Sequence, residues 1–420
     1  MGLVTLLLVE PTTQAPNQLM NQDQIMVMEQ TTNIKINIPY TSEEFKKNFF
    51  EKKPFVIKGG INDSNRLSWK HINELLPRCN LVSEDAIKLM YKGKKLSKEH
   101  YLDAYNDLGT QRFKFNEQNL YGFMREGATL VANGIVNEPS VDCFSQEIAR
   151  FSGCHTFSSL YIAFNTQSSF KSHWDSRDIF ALQMQGRKRW IIHAPTFNNP
   201  LFMHKSKDMP EYNPNLDDVY MDIILEAGDI LYLPRGWWHD PIPVGEETVH
   251  LAIGIFPAYA NNYLTWVANN IVEKEAARVS LFDYESDLSS IEDLSNTVSE
   301  YILDKNNFSK FMEDFYGKKR VERPLNLEIF ADHRNSRLNG SEEVSFVNKN
   351  YYHNIGDKLV SNGYRISVDE SFKKIISILE NGEPLKMDTF LSQFPSENIE
   401  NISKLIWDLS YIGVIKVNNS

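Results

Sequence analysis

His173 and Asp175 stand two apart in Lys171-Ser172-His173-Trp174-Asp175, the spacing that puts both side chains on one face of an extended strand. A neutral imidazole and a carboxylate so placed can share one ion. Their mixed nitrogen and oxygen donors suit ferrous iron, and a third ligand would complete a facial triad while leaving positions open for a cosubstrate and oxygen. His239 is the candidate third ligand. It follows Gly228-Asp229-Ile230-Leu231-Tyr232-Leu233-Pro234-Arg235-Gly236-Trp237-Trp238, where a Gly-Asp turn enters an apolar strand and Pro and Gly then stop it, bringing the histidine to a sheet edge. A bare His-x-Asp pair is usually a hydrogen-bonded surface pair. Here its place between two strand-like runs, with a distal histidine behind a turn and a strand, favours the ion.

A second charged feature lies further on. Arg187-Lys188-Arg189 opens a strand on which Lys188 faces opposite to its two neighbours. An inward ammonium is costly unless an anion pairs with it, and a dicarboxylate cosubstrate would supply that anion.

The elements that must position these groups are short strands. From about residue 156 to 256 the chain shows Leu160–Phe164, Ile179–Met184, Arg189–Ile192, Ile223–Leu225, Ile230–Leu233 and Val249–Ile255, separated by turn residues. Regular short strands of this kind predict an antiparallel sandwich or barrel. Between them His204 to Asp218, with Pro210 and Pro214, is a polar loop long enough to act as a lid or binding loop. Upstream, Thr41 and Glu44 have capping-box spacing, Lys53–Ile57 reads as a strand closed by Gly59-Gly60, and Ser68 caps a helix that Pro77 ends.

Past Pro257 the pattern turns helical, with Leu264, Val267, Ile271 and Val272 on one stripe and Leu294, Val298, Tyr301 and Ile302 on another. Phe372–Leu379, Met387–Phe394 and Ile399–Leu409 then read as helices before β-prone Val414–Val417, the order of a small winged-helix domain. Over residues 351–420 seven Lys+Arg face nine Asp+Glu, so a phosphate-facing helix would lack electrostatic support and specific DNA binding is not expected. Residues 1–35, rich in Gln, Asn, Thr and Met, read as a mobile tail.

The 420 residues carry a formal charge of −11 and 42% hydrophobic residues, an ordinary globular composition. Cys79, Cys143 and Cys154 form no CxxC pair and suit a reducing, cytoplasmic setting. No run of 18 apolar residues occurs, so neither a membrane span nor a secretory signal is expected. Glycine-rich phosphate loops, a nucleophile elbow and HExxH are all absent.

The stretches around His173-Trp174-Asp175, then Gln183-Met184-Gln185-Gly186-Arg187-Lys188-Arg189-Trp190, then Gly228 to His239, together resemble the JmjC-type 2-oxoglutarate oxygenases, most of all their ribosomal-oxygenase branch. The resemblance implies an α+β chain with a double-stranded β-helix (jelly-roll, cupin) core over residues 36–260. It further implies a helical dimerisation region at 261–345, giving a homodimer, and a winged helix at 346–420. His173, Asp175 and His239 would bind Fe(II), and Lys188 would hold the distal carboxylate of 2-oxoglutarate. Asn165 aligns with a cosubstrate-binding polar residue if one gap is allowed, His250 matches a near-metal position on the last core strand, and Tyr161 is a candidate pocket hydroxyl. His155 and His193 read as barrel-wall histidines. Trp237 and Trp238 could wall the substrate entrance, one of them being core. The implied activity is hydroxylation of a protein or peptide side chain, with Arg or His of a ribosomal protein the leading substrate and demethylation the less favoured outcome. The alternative is a catalytically idle metal-binding cupin serving as an interaction or regulatory module.

Overall fold

The computed structural model describes residues 36–317 apart from 84 and 167, and beyond them 325, 327, 342–346, 353–355, 358–361, 364–379 and 384–418. The expected tail of residues 1–35 lies outside the described residues.

In chain order the strands of the first part are β1 (Phe55–Ile57), β2 (Ile87–Tyr91), β3 (Lys94–Lys95), β4 (Leu102–Asp107), β5 (Thr110–Phe115), β6 (Thr129–Asn133), β7 (His155–Ala163), β8 (Ile179–His193), β9 (Val219–Leu225), β10 (Ile230–Leu233) and β11 (Trp238–Phe256). Helices α1 (Ser42–Asn48), α2 (Trp69–Leu75), α3 (Glu117–Arg125) and α4 (Pro139–Ser152) lie among them. β1, β10, β8, β11, β7, β6, β2 and β3 are hydrogen-bonded in that order, and β9 joins β8 separately.

Two long strands make this a two-layered antiparallel sandwich. The first arm of β8 lies between β10 and the end of β11, whereas its second arm, Lys188–His193, lies between β9 and the start of β11. The register of β11 breaks between Pro243 and Thr248, opposite Gly186. Gly186 has φ +59°, and a Cβ there would collide with the Glu247 carbonyl. Such a break bends a strand and raises its twist, so β8 and β11 pass from one layer to the other. The two runs expected at Ile179–Met184 and Arg189–Ile192 are therefore arms of a single strand.

The N-terminal segment closes one end of the sandwich. Glu44 accepts the Thr41 amide at 2.8 Å and donates its own amide to Thr41 Oγ1 at 3.1 Å, the capping box expected from the spacing. Capping starts α1 where Phe45, fully buried, meets the rings of Phe55, Phe151, Phe180 and Tyr232. Tyr232 donates its hydroxyl to buried Asp178, which also accepts the Arg235 amide at 3.1 Å. Burial lifts the Asp178 carboxyl to about 6. This network ties the chain just after Asp175 to the chain just before His239.

Helices α5 (Ala260–Asn270), α6 (Leu288–Leu303) and α7 (Lys305–Tyr316) follow. The expected stripe on α5 divides: Val267 and Ile271 are buried, Leu264 and Val272 exposed. No residue of α6 is buried, and its stripe of Leu294, Val298, Tyr301 and Ile302 is only half covered.

Farther on, Glu343–Phe346 pairs with Leu385–Lys386 and Ile415–Asn418, beneath helices Glu370–Leu379, Met387–Leu391 and Ile399–Tyr411. Val344, Phe372, Ile375, Phe390, Ile406 and Ile415 give this part a core of its own. The middle helix ends at Leu391, short of the expected Phe394. Because 343–346 is a strand of this sheet, the helical segment expected to reach 345 ends sooner, with α7 its last α-helix among the described residues. No helix among the described residues is long and apolar enough to cross a membrane.

Candidate metal centre

His173 and Asp175 lie in the irregular segment between β7 and β8, not on the regular strand expected. A single antiparallel bridge gives them their extended geometry: the His239 amide donates to the His173 carbonyl at 2.8 Å, and the His173 amide returns a bond at 3.3 Å. His239 is the second residue of β11, flanked by this bridge and by Ile192 of β8, so it lies within the ladder and not at the expected edge.

The ligand atoms of His173, Asp175 and His239 all fall within 4.8 Å of one another. Each imidazole is held through Nδ1, which donates to a carbonyl: His173 to Lys171 at 2.8 Å and His239 to Trp237 at 3.1 Å. That fixes the tautomer and leaves Nε2 as a lone pair. Burial, and then the nearby His173, push His239 down to about 4, so it is neutral at pH 7. His239 Nε2 lies 3.7 Å from Asp175 Oδ2. With the imidazole neutral this is no ion pair but two acceptors facing each other, an arrangement that a cation between them would satisfy. Two imidazoles and one carboxylate converging in this way fit Fe(II) with coordination positions to spare.

The triad opens into a cavity of about 710 Å³ including its mouth. Alternate residues of the flanking strands supply its wall: Phe157, Ser159 and Tyr161 from β7, Lys188 and Trp190 from β8, His239, Pro241, His250 and Ala252 from β11. Phe170, Ser176, Arg177 and Ile179 complete it. Sequence reading named Tyr161, Lys188, His239 and His250 but missed the rest. Period-two alternation from those four would have reached Phe157, Ser159, Trp190, Pro241 and Ala252.

Lys188 faces inward as its parity predicts and is 3% exposed, whereas Arg187 and Arg189 point outward to Glu246 and Asp222. Lys188 Nζ approaches His250 Nδ1 at 3.4 Å and has no carboxylate partner among the described residues. Burial alone lowers its ammonium to about 7. His250 stacks on Tyr161 with ring centroids 4.7 Å apart, and burial, with Lys188 next, holds it well below the usual histidine range. Arg187→Ala and Arg189→Ala are expected to leave thermal stability and ligand binding at the cavity near wild type, which melting curves and ligand titration would check, because both cations sit in solvent-screened pairs.

Other expected positions fall elsewhere. Asn165 is not brought to the site: β7 ends at Ala163, and the Asn165 side chain donates to the Arg125 carbonyl at 3.3 Å and accepts the Thr166 amide at 2.6 Å. Neither tryptophan lines the cavity. Trp238 stands edge-on to Trp174 at 4.8 Å, and Trp237 packs on Tyr220 at 4.6 Å. His193 Nδ1 bonds the Asp218 carbonyl at 3.2 Å, and buried His155 lies beside Phe315 and Tyr316, both away from the triad.

Residues 131–263 match the family model of the JmjC domain. The chain is 26% identical over 223 residues to the bifunctional lysine-specific demethylase and histidyl-hydroxylase NO66 of Aedes aegypti, an alignment covering 52% of this chain and 33% of that protein. The protein of the same name from Dictyostelium discoideum is 23% identical over 272 residues, covering 63% and 49%. The chain thus spans about a third to a half of the length of these relatives. Among solved structures, Escherichia coli YcfD superposes with a TM-score of 0.59 at 15% identity, covering 92% of this chain and all of that one. YcfD, described as a ribosomal oxygenase, is also known in complex with cobalt and 2-oxoglutarate, and that structure gives a TM-score of 0.57. The likeness to YcfD establishes a shared fold.

Proposed function

We propose, from the match of residues 131–263 to the JmjC domain model, that the chain is an Fe(II)- and 2-oxoglutarate-dependent oxygenase that hydroxylates a side chain of a protein or peptide. Fe(II) with 2-oxoglutarate supplies the oxidising chemistry, one oxygen atom of O2 entering a substrate C–H bond as 2-oxoglutarate becomes succinate and CO2. His173, Asp175 and His239 hold the metal. Lys188 receives the distal carboxylate of 2-oxoglutarate, with Tyr161 and His250 beside it.

The observation that carries this reading is Lys188. A buried ammonium without a carboxylate, in the same cavity as an acceptor-only triad, calls for a bound anion next to a bound cation. An idle cupin has no use for that pairing. Incubating the protein with Fe(II), 2-oxoglutarate and a cell lysate should produce +16 mass shifts on target peptides. No shift together with no stimulated succinate release would reject the reading. Arg or His of a ribosomal protein is the leading substrate, in line with the names of the similar proteins.

The domain order proposed with this activity is a cupin core at 36–260, a helical dimerisation region from 261 through α7, and a winged-helix-like domain that takes in the strand Glu343–Phe346 and the helices after it, in a cytoplasmic setting. The apolar surface on and around α6 supports a homodimer: Leu264, Val272, Leu281 and Leu303 are exposed, and Phe282 is 87% exposed. Light scattering is expected to return twice 48.6 kDa for the full chain. Replacing Phe282 and Leu264 together by Asp is expected to shift the mass to the monomer. The winged-helix part is proposed to contact protein, and a low-salt gel shift with duplex DNA should show no sequence-selective complex.

A further inference from the structure

Residues 194–218 join β8 to β9, and the base of this loop is seated on the segment that carries the third ligand. Trp238 donates its indole N–H to Thr196 Oγ1 at 2.9 Å, and the Arg235 guanidinium donates to the carbonyls of Asn199 and Pro200 at 3.2 and 3.1 Å. Gly236, at φ +83°, lies so close beneath the loop that a Cβ would stand 2.8 Å from the Phe197 carbonyl and 2.9 Å from the Pro200 ring. The Asp175 carbonyl in turn accepts the Gly236 amide at 2.9 Å.

Above this base the contacts are aromatic. Phe197 stacks on Trp174 with centroids 5.9 Å apart, and Tyr212 meets Phe197 at 5.0 Å and Trp174 at 6.3 Å. Trp174 is the residue between His173 and Asp175, and it is buried. It packs edge-on against Trp238, the residue before His239. Every ligand of the triad therefore adjoins one member of this aromatic pair, and the pair is the floor on which the loop rests. His173 and Asp175 have one β-bridge between them, so the packing of Trp174 does much to fix their backbone.

We propose that Trp174 and Trp238 are positioning residues that couple the seating of the 194–218 loop to metal binding at His173, Asp175 and His239. The seated loop holds the three ligands in binding geometry, and the bound ion holds the loop, since coupling between two binding events is reciprocal. This inference rests on the metal reading above. It adds to it that loop residues far from the ion set its affinity.

Titration of Co(II), followed by its d–d absorption, tests the coupling in the full chain and in the Phe197→Ala, Tyr212→Ala and Trp174→Phe variants, with hydrogen exchange of the loop amides measured with and without the ion. None of the replaced side chains belongs to the His173, Asp175 and His239 triad. Phe197→Ala and Tyr212→Ala should bind Co(II) about tenfold more weakly, the size of effect that outer-sphere support has elsewhere. Trp174→Phe should retain most of the affinity, and Co(II) should slow loop exchange in the wild type. Wild-type Co(II) affinity in Phe197→Ala alongside faster loop exchange would overturn the coupling, as would loop exchange indifferent to the ion. A wild type that binds no Co(II) would overturn the metal reading and the coupling with it, so the two failures are told apart. If Phe197→Ala does not fold, Phe197→Leu, which keeps most of the volume, is judged by the same outcomes.

Discussion

Asp175→Ala is expected to weaken Fe(II) or Co(II) binding by more than about a hundredfold and to abolish succinate release, while the protein melts close to the wild-type temperature. Loss of outer-sphere support around a metal costs roughly 10–100-fold, and Asp175 is proposed as a ligand itself, the sole carboxylate of the triad. Its side chain is 44% exposed, so its removal leaves little cavity and little unsatisfied polarity. Equilibrium dialysis and a thermal melt on the same sample check both halves. Metal affinity within tenfold of wild type would show that the ion is held elsewhere.

Lys188→Met is expected to act in opposite directions on stability and on cosubstrate binding. The Lys188 ammonium, at 10.5 when free, drops to about 7 in the folded chain through burial. Between those values the unfolded chain binds more protons, so the ligand-free protein gains stability as pH rises from 7 toward 10.5 and loses it as pH falls back. A shift of this size corresponds to something on the order of 4 kcal/mol at pH 7. The Met variant should recover much of that and lose the slope, as denaturant titrations at pH 7 and 9 would reveal. It should also bind 2-oxoglutarate at least about thirtyfold more weakly, because truncating one partner of a buried charge pair costs roughly 2–5 kcal/mol. In the wild type, binding the dianion draws Lys188 back to its charged form. Apparent affinity should therefore fall as pH rises above 7, with proton uptake visible in calorimetry in buffers of different ionisation enthalpy. Equal affinity in wild type and Lys188→Met would place the dicarboxylate elsewhere.

Residues whose role follows from local spacing are legible in the sequence itself. The parity of Arg187-Lys188-Arg189 separates one inward cation from two outward ones, and burial of Lys188 follows that parity. Two apart on an extended chain is enough to bring the His173 and Asp175 ligand atoms together with that of His239, even though the extended geometry comes from a single bridge to His239. Asn165 misleads because its placement requires a gap, and where β7 stops depends on packing that alternation does not encode. Residues 80–155 offer little to read. β4 and β5 form a hairpin across Leu108-Gly109 whose residues are mostly exposed, so their side chains lack the alternation that marks a half-buried strand. The bend that merges two expected strands into β8 is set by Gly186 against the Glu247 carbonyl, a long-range contact.

The pairing of β1 with β10 also bears on how the chain is made. The Glu51 amide bonds the Tyr232 hydroxyl across 181 positions, and Phe55 lies opposite Tyr232 in the ladder. At roughly 5–20 residues per second a ribosome needs about 10–35 s to span that interval. Throughout it β1 has no ladder partner and the Phe45 and Phe55 rings lack that of Tyr232, so the nascent chain is expected to be a client for chaperones until Tyr232 emerges. The same separation predicts slow refolding, because loop closure must precede the contacts that reward it. A fragment restricted to residues 131–263 would lack β1, leaving an edge of β10 unpaired and Phe180 and Tyr232 without Phe45 and Phe55 to cover them. Such a fragment is expected to aggregate when produced alone, and adding residues 36–60 in trans should improve its solubility.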